Sequence, residues 1–445
     1  MIMALRNFLP LKRTLGKVYD VIFAMLIGSY RPSARKVGLF GDSRAFMSYS
    51  SSGYFTDFLK GWGIAHWIQY LSNGACCFPY SLNGGVAGDT TGGMLKRLPA
   101  YIQAMKAEGA NLVIIQMGGN DRTAGIDLAT SCLNTQRIVR AFQDAQISVV
   151  MCNGSARGTG SSAYDLNPAQ TADHFAWHQF VDRVISKECQ VVDTWTRSVD
   201  PASGTKYWAR ADMVRDGVHH SKIGAYQDAR VIVPAIDPFL HDYGLVPTSN
   251  QVYDANNNPL GPLAPNALMT GIGGTIPSKL NPVAGSVLAT GWNADGGNMT
   301  GLQTEWSKET DEKNVEWQKV RVFGTSGANA GEIVLQNNLT LSALADGDKL
   351  RAVGLIKTRG TGLSFIGLGL LEAKSYRQKL DGDDPDPSLP YPEELISGRM
   401  ETPVATWVVA DATPALVVRP TVSIRPNSVV DFTFWITRCT ANKVI

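Results

Sequence analysis

The stretch VGLFGDSRAF, residues 37–46, decides the fold. Its first half, Val37-Gly38-Leu39-Phe40, is a short apolar run of the kind a buried strand shows. It breaks at once into Gly41-Asp42-Ser43. A serine is thereby presented on a tight turn at the carboxyl end of a strand, where α/β proteins gather their ligands and reactive side chains. Three residues recur by chance, so the reading depends on what the rest of the chain supplies and in what order.

Outward from that turn, residues 36–242 alternate short apolar runs with longer helical ones. The pattern predicts strands over 36–40, 76–82, 112–116, 148–152 and 190–192. It predicts helices near 55–71, 92–107, 129–143, 168–186 and 222–240. Such alternation argues a parallel sheet covered on both faces. From residue 244 the texture changes. Pro, Asn and Gly are dense over 247–282, which reads as a linker followed by irregular structure. Alternating, β-branched segments follow at 332–341, 349–357, 363–371, 405–409, 415–424 and 429–437, the pattern of an antiparallel sandwich or jelly roll. The stretch 381–392, with four Asp and four Pro, reads as an exposed loop. The expected division is therefore a leading segment over 1–35, an α/β domain over 36–243, a linker over 244–282 and a β-domain over 283–445.

A chain of 445 residues is long enough for two domains or more. Its net charge of +2, with no basic tract, points to no nucleic-acid partner. The six cysteines have no metal-ligand spacing and read as buried thiols. Near the N-terminus the apolar run 21–28 is about eight residues, too short to span a bilayer. No small-x-small cleavage site follows it, so the first 35 residues read as a docked amphipathic helix or an attachment segment.

Four blocks carry chemistry. They are Gly41-Asp42-Ser43, Asn83-Gly84-Gly85-Val86-Ala87-Gly88-Asp89-Thr90, Gly118-Gly119-Asn120-Asp121 and Asp216-Gly217-Val218-His219. The first three fall at ends of expected strands, and the fourth opens the last helix. A serine hydroxyl is a poor nucleophile until a base takes its proton. That base is usually a histidine oriented by a carboxylate. The oxyanion that follows needs preorganised donors, each worth roughly 3–4 kcal/mol. Ser43, His219 and Asp216 supply the first three roles. The Asn120 amide and the backbone N–H groups of Gly88 and Ser43 supply the donors. Asp42 and Asp121 read as loop-bonding carboxylates.

These blocks resemble the SGNH (GDSL-type) hydrolase family, close to its thioesterase-like and carbohydrate-esterase branch. The resemblance covers about 36–242 and implies a flavodoxin-like three-layer fold. It places the catalytic Ser, Asp and His on Ser43, Asp216 and His219, and the oxyanion hole on Ser43, Gly88 and Asn120. It calls for no cofactor and no metal. Arg44 stands where the family name has Leu, and His220 where many members have Pro. The Asp-x-x-His spacing favours His219 over His220 as the base.

Arg44, Trp62 and Arg122 are candidate substrate contacts, the arginines because they adjoin catalytic blocks and Trp62 because Gly61 and Gly63 flank it. His174 and His178, four apart on an expected helix, have metal-ligand spacing but read as surface residues. The β-domain loosely resembles carbohydrate-binding jelly rolls, through Gly291-Trp292 and Glu316-Trp317-Gln318-Lys319-Val320. Together these imply removal of O-acetyl groups from a polysaccharide. The combination also looks like phage tail-spike esterases, which would make the protein extracellular or virion-associated and part of a homo-oligomer or virion assembly. A lipase or thioesterase, and a glycan-binding protein with an inactive core, are the alternatives. If the β-domain only delivers substrate, deleting 246–445 should spare small-ester turnover.

Overall fold

A computed structural model describes residues 35–50, 58–237, 240, 246–372, 377–381, 386–407 and 416–444. The leading segment therefore lies outside the described residues, save Arg35. The α/β half is built on a parallel sheet. Its strands are β1 (Arg35–Gly41), β4 (Cys76–Cys77), β5 (Asn83–Gly85), β6 (Leu112–Gln116), β7 (Ser148–Cys152) and β8 (Gln190–Val192). The order is β4-β1-β6-β7-β8, with β5 also on β1. Of the strand expected over 76–82 only Cys76–Cys77 is strand, and β5 begins just past its expected end. Pro79, which has no N–H to give, stands before the 3-10 turn Tyr80–Leu82 that separates them. Both pieces pair with the same strand, β4 with Arg35 and Lys36, β5 with Leu39 to Gly41. The topology is the flavodoxin-like 2-1-3-4-5, whose switch point lies between β1 and β6.

Side chains along the strands alternate between two cores, as the pleat requires. Phe40, Val113, Ile115, Val149 and Met151 meet α3 (Thr91–Ala107), α5 (Leu128–Asp144) and α6 (Pro168–Arg183) through Met94, Leu98, Ile138, Phe142, Trp177 and Val181. Val37, Leu39, Leu112, Ile114 and Val150 meet α2 (Ile64–Leu71) and α8 (Lys222–Ile236) through Ile64, Trp67, Ile68, Ala225, Ala229 and Ile232. Helix α2 is shorter than the 55–71 expected. Phe58–Leu59 is instead strand β3, paired with β2 (Tyr49–Ser50).

The C-terminal half is an antiparallel all-β domain of two sheets. One carries the run β12-β20-β14-β17, formed by Glu316–Thr325, Val429–Val444, Lys349–Thr361 and Ile396–Glu401. The other carries β13-β19-β15-β16, formed by Gly331–Asn338, Leu416–Ile424, Leu363–Glu372 and Arg377–Asp381. These two four-strand orders are those of a jelly roll, two Greek keys wound together. Strands β9 (Gly273–Thr275) and β10 (Leu288–Gly297) extend the second sheet, and β11 (Leu302–Thr310) extends the first. Strand β18 (Ala405–Thr406) pairs β14.

The two halves are joined more closely than a linker implies. Strands β2 and β3 add to the second jelly-roll sheet, β3 lying parallel to β16. The core on the α2–α8 face of the parallel sheet runs on into the jelly-roll core as one cluster. Tyr391 packs 5.1 Å from Trp67, and Tyr70 Oη donates to the Ile356 carbonyl at 3.0 Å. The segment read as linker is packed too. Leu263, Ala264, Ala267 and Met269 are fully buried, and Leu263 N donates to Ala441 O.

Candidate active site

The register of three strands sets the site. Gly41 pairs with Gly85 on one side and Gln116 on the other, so β1, β5 and β6 end level. The first three blocks leave the sheet side by side. Asp42 N donates to Gln116 O at 3.2 Å and Val86 N to Gly41 O at 3.2 Å, stitching the turns together. Asp42 then caps the short helix α1 (Ser43–Phe46), its carboxylate accepting from Arg44 N at 3.0 Å. Burial pushes the Asp42 carboxyl up, against the pull of Arg44. Ser43 is the first residue of that helix.

The fourth block is a narrow hairpin. Arg215 N donates to His219 O at 2.9 Å and Ser221 N to Met213 O at 3.0 Å, with Val214 bridged to His220. At its tip Gly217 has φ +96°, and a Cβ there would lie 2.3 Å from Ser162 Oγ. Asp216 Oδ1 accepts the backbone N–H groups of Val218 and His219 at 3.0 and 2.8 Å. Its Oδ2 lies 2.6 Å from His219 Nδ1, and His219 Nε2 lies 2.9 Å from Ser43 Oγ. Burial opposes ionisation of Asp216. The hydrogen bonds from the His219 ring and from the two N–H groups outweigh it and hold the carboxyl well below the usual range. His220 points elsewhere: its Nε2 lies 3.0 Å from buried Asp228 Oδ2.

The candidate oxyanion donors lie in the second and third blocks, which follow the two strands that flank β1. Asn120 opens α4 (Asn120–Thr123), and its Nδ2 donates to Asp89 O at 2.9 Å, which leaves a second amide hydrogen. Gly88 has φ +75°, and a Cβ at this position would meet nothing within 4 Å. Its backbone faces open space in a conformation that other residues rarely take. Asp121 is buried and ties this loop to α3, accepting from Thr91 N at 2.8 Å and Thr91 Oγ1 at 2.6 Å. Such a set can deprotonate a hydroxyl, orient the base and receive an oxyanion.

Sequence reading missed three side chains around this set. Arg97 on α3 donates to Asp89 Oδ2 at 2.7 Å, Gly84 O at 2.5 Å and Gly41 O at 2.7 Å, and stacks on Phe40. It ties the first block to the second. Its only signal was an arginine two turns beyond Gly88-Asp89-Thr90. Arg215, adjoining Asp216 in sequence, lies over the Trp62 ring at 3.6 Å with Nε 3.9 Å from Asp216 Oδ2. Tyr164 stands edge-on to the His219 ring at 5.8 Å, from a loop that nothing in the sequence marked.

Of the three expected substrate contacts, only Trp62 is near the Asp–His pair and partly exposed. Arg44 is 5% exposed and turned inward, its Nε donating to Val218 O at 3.0 Å. It braces the hairpin and does not line a rim. Arg122 is 3% exposed; its Nη2 donates to Ser131 Oγ and lies 3.9 Å from Asp121 Oδ2. His174 and His178 are buried, not on a surface. They bond the carbonyls of Ser155 and Asn153 and lie against Trp195. Burial pushes the His174 imidazole down to about 3, so it stays neutral. No group of three or more candidate metal ligands occurs among the described residues.

Residues 39–226 match the model of the GDSL-like Lipase/Acylhydrolase family. Residues 39–226 are thus similar to GDSL-type esterases and acylhydrolases, and the antiparallel domain lies outside the match. An arylesterase of Vibrio mimicus is 23% identical over 212 residues, covering 46% of this chain and 98% of that protein. Among solved structures, a lipase/acylhydrolase from Enterococcus faecalis is 20% identical, covering 46% of this chain and 97% of its own, with a TM-score of 0.35. The acetyl xylan esterase AlAXEase is 17% identical, covering 45% and 99%, with a TM-score of 0.34. A carbohydrate esterase family 3 protein from Talaromyces cellulolyticus is 17% identical, covering 46% and 97%, with a TM-score of 0.32.

Proposed function

We propose that the protein is a serine carboxylic-ester hydrolase that removes O-acetyl groups from a polysaccharide. The observation that carries the hydrolase reading is the relay Asp216–His219–Ser43, at 2.6 and 2.9 Å, beside the donors of Gly88 and Asn120. Ser43 Oγ attacks the acetyl carbonyl as its proton passes to His219 Nε2. Asp216 stays ionised, fixes the tautomer of His219 and stabilises the imidazolium. The oxyanion is received by the N–H groups of Ser43 and Gly88 and by the second amide hydrogen of Asn120. The C–O bond to the sugar breaks, and the sugar oxygen leaves with the proton from His219. Water, deprotonated by His219, then attacks acetyl-Ser43, and acetate leaves as Ser43 regains its proton.

The polysaccharide substrate rests on the surroundings. Tyr164 and Trp62 offer half-exposed ring surfaces beside the Asp–His pair, suited to the apolar faces of sugar rings, with Arg215 between ring and carboxylate. The jelly roll packed on the same body adds an argument from fold analogy. Attachment to a larger assembly through residues 1–35 is a proposal from sequence alone.

A second reading has its own observation. Phe46 is 46% exposed on the helix that Ser43 opens, and Val86 is 43% exposed two residues before Gly88. These apolar side chains would suit a longer or aromatic acyl group. Turnover of 4-nitrophenyl esters of increasing chain length, with acetate release from a panel of acetylated polysaccharides, separates the two. The first reading expects acetyl esters to be preferred and acetate to be released from at least one polymer. A preference for octanoyl over acetyl would overturn it in favour of the second.

A further inference from the structure

The His219 hairpin hangs from anchors on two sides. On the hydrolase side, Arg44 Nε holds Val218 O beside the nucleophile's own turn. On the other side the hairpin runs through Ser221 straight into α8. Ser221 caps that helix, its Oγ accepting from Gly224 N at 3.0 Å. The first residue of α8 is Lys222, three residues after His219, and it is fully buried.

Lys222 sits where a lysine is costly on two counts. A buried ammonium loses its hydration, and a cation at a helix N-terminus meets the positive end of the helix dipole. What offsets this comes from the jelly roll. Lys222 Nζ donates to Ser364 O at 3.0 Å and Ser364 Oγ at 2.9 Å, at the start of β15. It donates also to Asp386 O at 3.0 Å and Leu389 O at 3.4 Å. The last two belong to a turn closed by Leu389 N on Asp386 O. The Asp386 carboxylate is held within that turn by Ser388 N and Oγ, and its charge acts on both Lys222 and Arg215. The turn read from sequence as an exposed loop therefore borders Lys222, where the hairpin runs into α8, and the charge of its Asp386 carboxylate reaches Arg215 within the hairpin.

We propose that Lys222 is a positioning residue for His219, through which the jelly roll keeps the base in line with Ser43. The proposal rests on the ester-hydrolase reading above. Ser43 and the oxyanion donors leave the parallel sheet directly and need no such help. The base alone comes from a hairpin with no strand of that sheet behind it. Loss of the Lys222 clamp should thus misplace His219 and leave substrate binding as it was. A misplacement of about 1 Å is enough to cost on the order of a hundredfold in rate.

The test compares wild-type, Ser43→Ala and Lys222→Met full-length proteins on 4-nitrophenyl acetate, with thermal melting of each. Expected is a single cooperative melt for Lys222→Met, a fall in kcat of about tenfold or more and a KM within about twofold of wild type. A folded Lys222→Met protein with kcat within about twofold of wild type would overturn the proposal. So would a fall in kcat that only follows the folded fraction with temperature. If Lys222→Met does not fold, Lys222→Gln, which loses the charge and the reach but keeps a polar end, carries the same test: a lower kcat at unchanged KM supports the clamp, and an unchanged kcat overturns it. Turnover that does not depend on Ser43 in wild type would remove the hydrolase reading itself, a result distinct from Ser43-dependent turnover that is indifferent to Lys222.

Discussion

At the scale of residues, the division of labour in the site follows from which groups are held charged. Asp216 accepts two backbone N–H groups and the His219 ring, so its carboxyl ionises well below its ordinary value. A carboxyl depressed in the folded state stabilises the fold above its unfolded pKa, near 4. That contribution is lost only as pH falls through the depressed value. Asp216 is therefore ionised across any ordinary assay range, and an acid limb of kcat/KM in that range does not come from its carboxyl. The profile should fall on the acid side with a slope of one proton. A profile flat from about pH 5 to 8 would argue against a histidine base. Ser43, Gly88, Asn120, Asp216 and His219 stood out in the sequence as candidates because each sits in a short block whose spacing is local. Arg44 and Arg122 misled because adjacency in sequence says nothing about which way a long side chain turns. Both turn inward, to Val218 O and Ser131 Oγ.

At the scale of elements, the candidate oxyanion donors depend on turns that three strands deliver level with one another. Arg97 is the brace between them, bonding the last carbonyl of β1, a carbonyl of β5 and the Asp89 carboxylate. The Asp89 carbonyl in turn holds Asn120. Arg97→Met should lower kcat by roughly ten- to a hundredfold with little change in KM, because the donors move while the binding surface stays. Steady-state kinetics check it; a variant with wild-type kcat would show that the turns hold without the brace. Strands β6, β7 and β8 were legible to the residue, since each holds a short apolar run bounded by polar residues. Strand β11 was missed although Leu302, Thr304 and Trp306 point inward while Gln303 and Glu305 face solvent. Its apolar positions are diluted by Thr and by charged neighbours, so the alternation carried little hydrophobic contrast. The early end of α2 was illegible for another reason: Phe58–Leu59 is recruited into a pairing with residues more than three hundred positions away.

At the scale of the whole molecule, the two halves share one core, so the expectation that they separate cleanly does not hold. The α2–α8 face of the parallel sheet is covered by the jelly roll, with Trp67 against Tyr391 and Tyr70 bonded to β14. Removing 246–445 would expose that face and leave Lys222 without its jelly-roll acceptors. The truncated protein should be insoluble, or should lack a cooperative melt and turn over small esters poorly. A soluble, cooperatively folded and fully active fragment would contradict this. Sequence texture revealed the boundary near residue 244 because composition changes there. It could not reveal that both sides bury the same surface, since a shared interface has the composition of any core.

The most direct test of the central claim, that Ser43 is the nucleophile of an ester hydrolase, is the rate of 4-nitrophenyl acetate hydrolysis by wild-type and Ser43→Ala proteins. Turnover by wild type and a loss of about 10⁴-fold or more in the variant are expected, both proteins melting alike. Equal rates in the two would contradict it.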